Sequence, residues 1–124
     1  MRVATAEDAA RLLAPWFDSA DVERVAVVHL DSGGRPIAIT LEAVGTVEDV
    51  DLPVRAIVAS ALKAGAATVV VAHNHPSGDP RPSEADVAHS RRLAEALAAM
   101  DVGLADHLVF AGTQVVSFRA LGLI

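Results

Sequence analysis

The order of apolar and polar positions divides the 124-residue chain into helical and extended segments. Residues 5–17 begin with a cap-like Thr5 and the acids Glu7 and Asp8. They place Ala9, Leu12, Leu13 and Trp16 on one face, which predicts an amphipathic helix. Residues 24–30 and 36–44 are apolar, β-branched runs, and the Ser32-Gly33-Gly34 core between them supplies the positive-φ positions of a hairpin turn. After a loop over 45–51, Pro53 suits the first position of a second helix. That helix is expected to run to about Gly65, with Ile57, Ala61, Leu62 and Ala64 on its packing side. A short buried strand follows at 67–73, then a Pro-rich loop at 76–82. A third helix over 83–101 turns Val87, Leu93, Leu97 and Met100 inward and Glu84, Arg91, Arg92 and Glu95 outward. Strands at 104–110 and 115–118, joined by a turn, complete the chain. Strands and helices alternate irregularly and include hairpins, so the expected class is α/β, with a single mixed β-sheet packed between helices and one domain spanning 1–124.

Composition narrows what such a domain can do. Hydrophobic residues make up 52 % of the chain, enough to build a core rather than a disordered segment. No apolar run approaches the roughly 18 residues of a membrane span, and no basic-then-apolar leader is present, so a soluble, cytoplasmic protein is expected. The absence of cysteine excludes disulfides and every thiolate metal site. A formal charge of −6, with only three Phe and one Trp, argues against a surface for nucleic acid. Alanine-rich exposed helix faces permit a homodimer without demanding one.

The chemistry concentrates in residues 73–86. His73 and His75, at i and i+2 near a strand end, point to the same side, whereas Asn74 points away and Pro76 stops ladder pairing. Ser83 stands three residues before Asp86 at a helix start, which returns Asp86 toward the histidines from the first helical turn. Two imidazoles and one carboxylate make a three-ligand metal site. Such a set leaves a coordination position open, as catalytic zinc requires.

The spacing His73-x-His75-Pro76, six residues to Ser83 and two more to Asp86 resembles the JAMM signature of MPN-domain metalloproteases. The wording His-Asn-His-Pro-Ser-Gly-Asp-Pro, with Asp106-His107 and Val116-Ser117-Phe118 further on, is most similar to the RadC branch, and the likeness covers nearly the whole chain. It implies an MPN/JAB-like mixed sheet between helices, with cytidine-deaminase-like layering. It also implies one Zn2+ held by His73, His75 and Asp86, and hydrolysis of a peptide or isopeptide by metal-activated water. Glu42, in Leu41-Glu42-Ala43-Val44-Gly45-Thr46, matches the family's general base, with Glu48 as the alternative. Ser83 matches the donor to the oxyanion; from its position alone it is a helix N-cap.

Two other functions compete with hydrolysis. One is a metal-binding but non-hydrolytic domain acting through a partner in DNA repair or recombination. Full-length RadC-like chains place a helix–hairpin–helix-type segment before this domain, and its absence here is expected to weaken a direct DNA role. The other is a scaffold, disfavoured because the whole ligand set is kept. His29 is expected to be structural, His89 a surface or half-buried helix residue, and Asp79 a turn former. Asp106 and His107 should face opposite ways, with no chemistry assigned. The letters His-Asn-His do not indicate an HNH nuclease, whose residues are spread over a hairpin and a helix.

Overall fold

A computed structural model describes residues 1–18, 20–45 and 52–124. Helix α1 (Ala6–Leu13) runs into a 3-10 turn (Ala14–Trp16), and strands β1 (Arg24–Leu30) and β2 (Pro36–Val44) form a hairpin. Helix α2 (Val54–Ala64), strand β3 (Thr68–Asn74), helix α3 (Glu84–Ala99) and strands β4 (Gly103–Ala111) and β5 (Gln114–Ser117) follow. The strands form one sheet in the order β2-β1-β3-β4-β5. Among the described residues only the β3–β4 pair is parallel, and the other pairs are antiparallel, which makes the sheet mixed.

Alternation along the central strands sorts the core into two layers. Val25, Val27, Val69 and Val71 face Ile57 and Ala61 of α2 and Leu93 and Leu97 of α3. Ala26, Val28, Val70, Ala72 and Leu108 face Ala9 and Leu13 of α1 on the other side. β1 and β3 are buried along nearly their whole length, which explains their near-continuous apolar sequence. The expected packing faces of the helices hold for Ile57, Ala61, Leu93 and Leu97. Leu62 and Met100 are instead about half exposed, Leu62 at the edge of the apolar stripe of α2 and Met100 at the cap just past the last residue of α3. No helix among the described residues is long and apolar enough to cross a membrane.

Both terminal features of the helices follow from local chemistry. α1 and α3 each begin with a capping box, Thr5 with Asp8 and Ser83 with Asp86. α2 ends at Gly65 in the left-handed conformation, φ 69°, where an added Cβ would meet nothing within 4 Å. A Gly65→Ala substitution therefore tests backbone conformation alone. It is expected to lower unfolding free energy by about 1 kcal/mol. Urea denaturation measures this, and an unchanged midpoint would contradict the assignment.

Candidate metal centre

Parallel pairing of β3 with β4 and antiparallel pairing with β1 leave the C-terminal end of β3 open to the first turn of α3. His73 is the second-last residue of the buried run of β3, which Asn74 ends, and His75 lies just beyond it. Their Nε2 atoms converge to 3.1 Å. Asp86 arrives from α3 with Oδ2 3.1 Å from His75 Nε2 and Oδ1 3.4 Å from His73 Nε2. The separation of the two Nε2 atoms is close to the roughly 3.3 Å between neighbouring donors on a tetrahedral zinc. Each Asp86 oxygen faces a different histidine, so nitrogen and oxygen donors of the right type for one ion converge here.

Neighbouring groups set the state of each donor. Burial pushes the Asp86 carboxyl up, but hydrogen bonds from His73 and His75 and the Ser83 backbone outweigh it and hold the group far below the ordinary carboxylate range. The capping box supplies the Ser83 contact: its backbone N–H donates to Asp86 Oδ2 at 2.9 Å, while its hydroxyl accepts from the Asp86 N–H at 3.0 Å. His75 is raised by its bond to Asp86, against burial, with help from the Asp79 carbonyl and from Glu23. That carbonyl, 2.8 Å from Nδ1, can only accept. It therefore fixes the proton of a neutral His75 on Nδ1 and leaves the Nε2 lone pair for an ion. The Asp79 side chain clasps Arg81, which lowers its carboxyl to about 2, so its turn-forming part is the expected one.

A second carboxylate, Glu23, also lies beside the histidines. One of its oxygens lies within 4.8 Å of ring nitrogens of both His73 and His75, and its side chain is buried. Asn74 holds it there. The Asn74 amide accepts from the Arg24 N–H at 2.7 Å and donates to the Val22 carbonyl at 3.1 Å, so both neighbours of Glu23 are tied to β3. The Glu23 carbonyl also accepts from the Gly45 N–H at 2.8 Å.

Glu42, the base that the resemblance implies, is placed elsewhere. Its strand β2 lies beyond β1 from the histidine strand, about two strand spacings or ~10 Å away. Glu42 is also the extra residue of a β-bulge, between Leu41 opposite Ala26 and Ala43 opposite Val25. Its carboxylate accepts a 2.6 Å bond from Thr40, whose hydroxyl is 2.9 Å from Nε2 of the buried His29. Burial lowers the His29 pKa, and the Glu42 charge opposes that. Glu48 lies outside the described residues. His89 is half-buried on α3.

Sequence reasoning assigned nothing to His107, yet its Nε2 is 2.7 Å from His73 Nδ1 and its Nδ1 is 2.8 Å from the Ser90 hydroxyl. Burial, reinforced by the charge of His73, depresses its pKa well below the ordinary value. Asp106 turns the other way, accepting from Ser117 and from the Arg119 backbone. A cleft of about 380 Å³ opens beside His75, lined by Phe17, Asn74, Pro76, Phe110 and Val115 among others.

Fold and site together define an α/β domain with a histidine–carboxylate cluster that could hold a metal ion at the end of its central strand. The sequence model of the RadC-like JAB domain family matches residues 3–123, and the chain belongs to that family. It is 44 % identical over 100 residues to UPF0758 protein XAC3915 of Xanthomonas axonopodis pv. citri, covering 81 % of this chain and 44 % of that protein. A UPF0758 protein of Polaromonas sp. is 46 % identical over 102 residues, covering 82 % and 46 %. UPF0758 protein NMB1038 of Neisseria meningitidis serogroup B is 40 % identical over 102 residues, covering 82 % and 45 %. The chain thus spans less than half the length of the curated relatives it matches.

Replacing Asn74 by Leu removes both bonds that bracket Glu23. The variant is expected to lose about 2 kcal/mol of unfolding free energy, because the Val22 carbonyl and Arg24 N–H lose their partner. Urea denaturation in metal-free buffer checks this, and unaltered stability would contradict the bracket.

Proposed function

We propose that this domain is a zinc-dependent amide hydrolase, a metallopeptidase or isopeptidase of the JAMM type. The observation that carries the reading is the convergence of His73, His75 and Asp86 beside the buried carboxylate of Glu23. His73, His75 and Asp86 would hold the ion. When bound, zinc polarises a carbonyl and lowers the pKa of water toward about 7. Three protein donors leave a position for water and substrate.

Glu23 is the general base of this proposal. It stands next to the histidines, takes a proton from the attacking water and returns it to the leaving amine. Its burial and the Asn74 bracket fix its direction, so little reorganisation precedes proton transfer. The Ser83 hydroxyl accepts from the Asp86 N–H and keeps its own proton to donate. Directed at the oxyanion of the tetrahedral intermediate, such a donor is worth about 3 kcal/mol. The cleft beside His75 receives the substrate chain. A peptide or isopeptide fits a net charge of −6 better than a polyanion does.

Glu23→Gln is expected to keep zinc and to lower the hydrolysis rate by a factor on the order of 10²–10⁴. Glu42→Gln is expected to leave it unchanged. Cleavage of a panel of peptides and isopeptides by zinc-loaded protein measures both, and equal activity of Glu23→Gln and wild type would refute this mechanism.

A further inference from the structure

The two histidines of the site differ in what fixes their protons. His75 Nδ1 faces the Asp79 carbonyl, which accepts only. His73 Nδ1 faces another imidazole, His107 Nε2, at 2.7 Å. His107 Nδ1 in turn faces the Ser90 hydroxyl at 2.8 Å. An imidazole nitrogen and a hydroxyl can each donate or accept. The row His73–His107–Ser90 therefore has two fully hydrogen-bonded arrangements of opposite polarity. In one, protons sit on both Nδ1 atoms and His73 Nε2 presents a lone pair toward Asp86 and His75. In the other, the proton sits on His73 Nε2 and the nitrogen is closed to a metal ion.

We propose that His107 is a positioning residue, which accepts the His73 Nδ1 proton and donates its own Nδ1 proton to Ser90. It thereby holds His73 Nε2 open as a metal donor. The proposal rests on the reading of His73 as a zinc ligand.

Three features fit His107 for this. It is fully buried, as is Ser90, so water does not compete for either nitrogen. Its ring stacks on Phe118, with centroids 4.2 Å apart and planes 26° apart, which fixes its rotation. Its backbone is held on both sides: the N–H donates to Asp106 Oδ1 at 2.7 Å, and the carbonyl accepts from the Phe118 N–H at 2.9 Å. Ser90 lies one helical turn after Asp86, so the helix that brings the carboxylate also brings the acceptor ending the row. Partners behind a ligating histidine set its orientation and basicity, and their loss typically weakens metal binding 10–100-fold.

The test is zinc affinity by chelator competition in wild type, His107→Phe, His107→Gln and Ser90→Ala, with circular dichroism as the check on folding. Phe keeps the ring against Phe118 but cannot accept, and about 10–100-fold weaker zinc binding is expected. Gln places an amide oxygen where Nε2 was and is expected to restore most of the affinity, a rescue that filling space alone would not give. Ser90→Ala is expected to weaken binding less. Long-range proton–nitrogen spectra of the zinc-loaded wild type need no variant, and should find the His73 proton on Nδ1, shared with His107 Nε2.

A folded His107→Phe with wild-type affinity, or His73 metallated through Nδ1, overturns the proposal while leaving the zinc site standing. A folded wild type that binds no zinc overturns the metal reading and this proposal together.

Discussion

The Asp86 carboxylate meets two sets of demands with two oxygens. Oδ2 accepts the Ser83 N–H that would otherwise be left unpaired at the start of α3, and the same oxygen lies against His75, while Oδ1 faces His73. Helix capping and assembly of the site are therefore one interaction. A carboxylate at the third helical position is favoured by the helix dipole and by the reciprocal cap before any metal is present. The site thus draws its rigidity from the same bonds that start the helix. The cost of holding a half-buried carboxylate beside two imidazoles is offset by donors from three directions.

Around that contact the sheet works as a clamp. β3 lies at the centre of the five strands, with β1 and β4 as its neighbours, and each contributes one group that supports a histidine. The segment entering β1 supplies Glu23, tied through Asn74. β4 supplies His107 behind His73. The loop after β3 supplies the Asp79 carbonyl behind His75. His107 and the Asp79 carbonyl act on the Nδ1 atoms of the two histidines, which leaves both Nε2 atoms facing Asp86.

Much of this was legible in the sequence, for a physical reason. His73, His75 and Asp86 lie close along the chain, on a strand end and a helix start whose periodicity and caps are local signals, so their convergence needs no knowledge of the sheet. The strands and helices were legible likewise, down to the box formed by Ser83 and Asp86. Glu23 and His107 were not, because each reaches the site through strand order. Only when β1 is known to pair antiparallel with β3, Val25 opposite His73, does the residue before β1 fall beside the histidines. The same ladder puts β2 one strand too far for Glu42. His107 needs the parallel β3–β4 register, with Val71 opposite it, before it can be seen behind His73. Leu62 and Met100 mark the ordinary limit of helical patterning, since a residue at a stripe edge or just past a helix end can pack or face water.

X-ray absorption at the zinc edge, together with the metal content of the purified chain, tests the central claim most directly. The account predicts one zinc per chain, with two imidazole nitrogens and carboxylate or water oxygens at about 2.0–2.1 Å. A folded chain that takes up no zinc, or a zinc shell without histidine, would contradict it.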